Sequence, residues 1–265
     1  MKNLLDNPQT LLIDIQGYVA YITLHRPQAK NAMNYAMIGE LFDVFTALKS
    51  RPEIRAVVLS GAEGTFCAGG DIKEMRTSPV PASESACNLD AMLQAVNEAP
   101  QIVIAKIEGA ALGGGLGLVC VSDVAISSET ALFGLPEVRL GIAPSFISPY
   151  VLARIGLTRS RELMLTGRRF KGAEALNYGL VHQCCPADEL DNAVAAVLAD
   201  IQQCAPGAIA AIKALIFEVA DKPPEVTLAY RADLLNALRA GEEAQEGMQS
   251  FSQKRPPKWS LKDES

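Results

Sequence analysis

The stretch Ile107–Asp123, IEGAALGGGLGLVCVSD, decides how this chain reads, taken with Phe133–Pro144, FGLPEVRLGIAP. The first sets a glycine triplet, Gly113-Gly114-Gly115, directly ahead of an apolar helical run. A glycine turn at a helix N-terminus presents unpaired backbone N–H groups at the positive end of the helix dipole. Such a turn can hold a phosphate, and equally a developing enolate oxygen. The second stretch supplies one acid, Glu137, in a mostly apolar segment. An anion hole beside a carboxylate base points to chemistry at the carbon next to a carbonyl.

Outward from the triplet, the pattern alternates strand and helix. Leu11–Ile15 and Tyr18–Leu24 are β-rich runs around Gln16-Gly17, a hairpin signal. Apolar residues from Met37 to Leu48 recur at helical spacing. Ile54–Ser60 is a short apolar strand that leads into the Cys67–Asp71 turn, and Ile102–Ile107 leads into the Gly113 turn and a helix over Leu116–Val121. Val124–Ser127 and Ala131–Phe133 read as further short strands. Both glycine turns thus follow a strand and precede a helix, the signature of an α/β architecture. From about Ser145 the chain turns helical, with amphipathic runs over Asp188–Gln203, Pro206–Ala220 and Glu225–Arg239.

At 265 residues and 49% hydrophobic content the chain can bury a large core. No Pro/Ser/Gly-rich linker divides it, which predicts one catalytic domain with a helical C-terminal extension. The N-terminus has no apolar signal-like core, and no apolar run reaches the roughly 18–20 residues of a membrane span. The formal charge of -6 argues against nucleic acid as a partner. Six cysteines (67, 87, 120, 184, 185 and 204) without CxxC spacing read as reduced thiols, and the expected location is the cytoplasm. Two distant histidines, His25 and His182, predict no metal site.

Five ordered segments now resemble one family. Beside the Gly113 segment stand Leu24–Met33 (LHRPQAKNAM), Thr65–Met75 (TFCAGGDIKEM), Leu165–Val181 (LTGRRFKGAEALNYGLV) and Glu246–Trp259 (EGMQSFSQKRPPKW). Together they are similar to the crotonase, or enoyl-CoA hydratase/isomerase, superfamily over nearly the whole chain. The resemblance implies a spiral of ββα units with a CoA site over residues 1–200. It also implies a helical extension over 201–265 that serves trimerisation and active-site cover, in a homotrimer or hexamer. The substrate is expected to be an acyl-CoA thioester, with no cofactor beyond its coenzyme A and no membrane partner.

By the same resemblance, the backbone N–H groups of Gly70 and Gly114 are oxyanion donors and Glu137 is the acid/base. Ala29, Lys30, Ala68, Gly70, Asp71, Ile72, Lys73 and Gly114 are expected to contact substrate or CoA, with Lys254 and Arg255 offering cations to it. Two-glutamate hydratases carry a second carboxylate where this chain has Gly117. That departure, with Gly117–Ile126 and Phe133–Arg154, resembles a bacterial branch acting on branched glutaconyl-CoA esters. These are isohexenylglutaconyl-CoA of acyclic terpene breakdown, favoured here, and 3-methylglutaconyl-CoA of leucine breakdown. The bare Gly117 is expected to free volume for the branched, dianionic acyl group, in a pocket built from Met75, Met92, Leu116 and Phe146. Alternatives are a β,γ to α,β enoyl-CoA isomerase, for which one carboxylate suffices, and a non-enzymatic CoA-ester- or RNA-binding protein on the same scaffold.

Overall fold

The computed structural model describes residues 6–77 and 88–260; Cys87 lies outside them. In chain order the strands are β1 (Leu11–Gln16), β2 (Val19–Leu24), β3 (Ala56–Gly61), β4 (Ile102–Ile107), β5 (Ala110–Leu112), β6 (Val124–Ser128), β7 (Leu132–Gly134), β8 (Arg169–Lys171) and β9 (Gln183–Cys185). The helices are α1 (Tyr35–Leu48), α2 (Ile72–Thr77), α3 (Leu89–Asn97), α4 (Gly114–Cys120), α5 (Ser148–Thr166), α6 (Gly172–Asn177), α7 (Leu190–Gln202), α8 (Pro206–Val219), α9 (Leu228–Ala240) and α10 (Glu242–Ser252).

The larger sheet runs β1-β2-β3-β4-β6-β9. Its first pair is the expected antiparallel hairpin, and every later pair is parallel. Strands buried on both faces read as near-continuous apolar runs, which is why β3 is AVVLSG. Alternation still sorts the side chains. Val57, Leu59, Val103 and Ala105 enter the main core with α1 and α4, whereas Ala56, Val58, Ile104 and Ile126 face α7. Helix α7 answers with Leu190, Val194, Leu198 and Ile201, one stripe at helical spacing.

The smaller sheet, β5-β7-β8, stands across the ends of β4 and α4. Strands β5, β8 and β9 were not expected from the sequence. Three-residue strands carry too little alternation to be read, and each forms only because a neighbouring edge pairs with it. Helix α9 begins at Leu228 rather than Glu225, because Pro224 and Thr227 close a turn there: the Pro224 carbonyl accepts from Thr227 Oγ1 at 3.2 Å and from Arg231.

The C-terminal segment folds back on the core. Lys213 of α8 donates to Asp123 Oδ2 at 2.6 Å and to the Gln101 carbonyl at 3.1 Å. Arg55 holds the Trp259 carbonyl at 2.7 Å. No single helix among the described residues is long and apolar enough to cross a membrane.

Candidate active site

A cavity of about 470 Å³ opens where the 68–70 loop, the start of α4 and the 136–147 segment meet. Parallel α/β sheets place sites beyond the C-terminal ends of their strands; here the loop after β3 and the Gly113 turn, reached from β4 through β5, deliver the site. Apart from Glu137 and Ser145, the lining side chains are apolar or absent, and no lysine or arginine is among them.

Glu137 sits in a short 3₁₀ turn, Pro136–Leu140, that follows β7. Its Oε2 is buried with no hydrogen-bond partner among the described residues. Burial raises its carboxyl above the ordinary range, opposed by a backbone hydrogen bond within the turn. Gly113 explains how the carboxylate comes so close to the triplet. Its φ of +50° and ψ of −121° suit glycine, and a Cβ there would stand 2.8 Å from Glu137 Oε1.

Two backbone amides face the same space. Gly114 is the first residue of α4, so its N–H has no intrahelical acceptor. Gly70 lies opposite Met33 in an isolated parallel bridge. The bridge uses the Gly69 carbonyl and the Asp71 amide, at 2.8 Å each, so the N–H of Gly70 itself points away from Met33's backbone. A Cβ on Gly114 would lie 4.0 Å from the Gly70 nitrogen and 2.5 Å from Met33 Cε. The two donors are therefore neighbours, roofed by a methionine. Two converging N–H groups beside a buried carboxylate can stabilise an oxyanion while a proton moves at the adjacent carbon.

The structure brings together Gly70, Gly114, Glu137, Ala68 and Ile72 at the cavity. Ala29 and Lys30 adjoin it, since the Ala68 amide donates to the Lys30 carbonyl at 3.0 Å. Lys30 and Lys73 are exposed beside that loop. Asp71 does not line the cavity with its side chain: its carboxylate is taken by Arg26 at 2.9 Å and by the amides of Lys73 and Glu74. Lys254 and Arg255 do not reach the lining, and Arg255 is spent on a two-pronged ion pair with Glu246, at 2.6 and 3.0 Å.

The expected pocket wall is half right. Met75 and Phe146 line the cavity, whereas Met92 and Leu116 are fully buried in the core. Gly117 frees no volume. A Cβ there would overlap Ile147 Cγ2 and stand 3.0 Å from Ile147 Cβ, so an isoleucine fills the place beside it. Asp123, at the end of α4, is structural: besides Lys213 it accepts from the Val103 amide at 2.7 Å. Sequence reasoning missed Met33, Arg26 and Ile147. All three stand inside quoted segments, but nothing local marks which way their side chains point.

Comparison with known proteins shows the family and the fold. The model of the enoyl-CoA hydratase/isomerase family matches residues 14–262. A Rhizobium meliloti protein named as an enoyl-CoA hydratase is 37% identical over 253 residues, 93% of this chain and 96% of its own length. Among solved structures, Pseudomonas aeruginosa AtuE superposes with a TM-score of 0.90 at 45% identity, covering 96% of this chain and 100% of its own. An enoyl-CoA hydratase/isomerase from Marinobacter aquaeolei gives the same TM-score and coverage at 41% identity. The chain belongs to the enoyl-CoA hydratase/isomerase family. It has the mixed α/β crotonase fold and is an enzyme of the hydro-lyase type its relatives are named for, acting on acyl-CoA thioesters.

Proposed function

We propose that this enzyme adds water across the α,β double bond of an enoyl-CoA thioester with a large, branched acyl group, preferring isohexenylglutaconyl-CoA to 3-methylglutaconyl-CoA. The observation that carries this reading is a carboxylate with one oxygen buried and unpartnered among the described residues, in a roomy apolar cavity that Gly70 and Gly114 also line. The thioester oxygen takes the N–H groups of Gly70 and Gly114, which stabilise the charge that develops as water adds; such donors contribute about 3 kcal/mol each. Glu137 accepts a proton from water as oxygen bonds the β-carbon, then returns it to the α-carbon of the enolate. With no cation on the lining, the apolar tail is what the cavity selects, rather than the second carboxylate.

Residues 1–200 serve as the catalytic core. CoA runs along the Ala29–Lys30 and Ala68–Lys73 loops, and no cofactor beyond it is needed. Residues 201–265 cover the site and join subunits in a homotrimer or hexamer. The apolar faces of α8 to α10 support the assembly, with Ile212, Ile216, Phe217 and Leu228 exposed and Phe251 87% exposed. We place the enzyme in the cytoplasm, in keeping with the free thiols of its five described cysteines.

A second reading is favoured by Ile147, which occupies the space beside Gly117. A lone carboxylate can shuttle a proton between carbons without activating water, moving a β,γ double bond to α,β. The deciding experiment measures turnover on isohexenylglutaconyl-CoA, 3-methylglutaconyl-CoA, crotonyl-CoA and a β,γ-enoyl-CoA, with a Glu137→Gln control. Preferred hydration of the isohexenyl ester is expected. Preference for the methyl ester would overturn the choice of acyl chain, and turnover of the β,γ ester alone would establish the isomerase.

A further inference from the structure

We propose that Arg26 and Asp71 are positioning residues, whose ion pair clamps the two backbone segments that aim the Gly70 amide into the cavity. This rests on the reading of Gly70 as an oxyanion donor. The backbones of segments 26–33 and 68–71 are joined by the Ala68 amide on the Lys30 carbonyl at 3.0 Å and by the isolated bridge of Met33 and Gly70, which lies outside both sheets. Two hydrogen bonds hold it, and the direction of the Gly70 N–H follows from the angle between the segments.

Arg26 closes that frame. Its guanidinium donates to the Ala32 carbonyl on one segment and to Asp71 Oδ2 on the other. Its backbone N–H donates to Asn31 Oδ1 at 2.9 Å, and Asn31, fully buried, donates onward to the carbonyls of Ala62 and Thr65. The second oxygen of Asp71 accepts the Lys73 amide at 3.0 Å, so the carboxylate is held on the α2 side as well. Both side chains of the ion pair are only 16% exposed, where solvent screens the charges poorly. The Arg26 hydrogen bond holds the Asp71 carboxyl below the usual carboxylate range, so the pair stays charged at neutral pH. Neither side chain lines the cavity, which separates aiming the donor from touching the substrate. A donor displaced by a fraction of an ångström loses much of its effect on the developing oxyanion while ground-state binding persists.

The test reads the donor directly. Octanoyl-CoA, isotope-labelled at the thioester carbonyl and lacking a double bond to hydrate, is bound to the enzyme, and its carbonyl stretching frequency is compared with that in water. The wild type is expected to lower the frequency. Asp71→Asn, which keeps an acceptor for the α2 amides but not the ion pair, loses at least half of that shift. Its kcat falls about tenfold. Arg26→Lys, keeping a cation but not the two-armed reach, falls between, and it carries the same test alone should Asp71→Asn fail to fold. An unaltered carbonyl shift in a folded variant overturns the positioning role while leaving the donor reading intact. The absence of any shift in the wild type overturns the donor reading and the clamp with it.

Discussion

At the scale of single residues, the site sets stability against function at Glu137. A carboxylate with one buried oxygen left unpaired among the described residues is costly while charged, and burial raises its pKa accordingly. A group whose folded pKa is raised contributes stability that is present below its unfolded value and lost as pH rises through the folded one. Glu137→Gln suffers no such loss. The variant is therefore expected to melt at a higher temperature than wild type at pH 7, with the difference closing as pH falls below the ordinary carboxylate range. Turnover in the same protein should fall by about 10²–10⁴. Thermal scans at several pH values with parallel kinetics check both; a variant less stable at pH 7 would contradict the cost of burying that charge. Glu137 was legible because one acid follows a proline in a mostly apolar stretch. The side chain of Asp71, next to Gly70 in the sequence, turns to Arg26, a partner that nothing in the local sequence marks.

At the scale of elements, the contact between α4 and the start of α5 shapes the catalytic wall. Gly117 on α4 lies against Ile147, the residue that precedes α5, and the fit leaves no room for a methyl group. Gly117→Ala is expected to cost about 1–3 kcal/mol by overpacking, and Ile147→Ala about 2–5 kcal/mol by leaving a cavity. In the double variant the methyl group occupies part of the space vacated, so the combined loss should be smaller than the sum. Denaturant titration of the three proteins measures this coupling, and strictly additive losses would show that the two sites do not touch. Helix α4 was readable from GGGLGLVC, and its packing partner was not. Ile147 is one apolar residue among several in PSFISPYV, and only the path of the 141–147 loop selects it. Helix α10 escaped notice for a different reason. Its sequence, EEAQEGMQSFS, is largely polar, and its Gly241 start and Glu246–Arg255 pair take part in holding it.

For the whole molecule, the apolar surface left on α8 to α10 supports the proposed assembly. Phe217, Leu235, Met248 and Phe251 are each about half exposed or more, beyond what scattered surface residues of a single chain need. Light scattering during size exclusion is expected to give three or six times the mass of one chain, and a single-chain mass across the micromolar range would refute the oligomer. The sequence by itself determined the strand–turn–helix rhythm, the hairpin, the two glycine turns and the single acid. Each of these rests on local chemistry: backbone preference, apolar period, and the orphan amides of a helix start. Only the tertiary structure decided that Gly70 and Gly114 are neighbours, that Met33 packs against Gly114, that Arg26 claims Asp71 and that Ile147 fills the space beside Gly117. The physical reason is that the parallel sheet brings loops distant in the chain to the same strand ends. There, contacts depend on side-chain direction and volume, which no local pattern encodes.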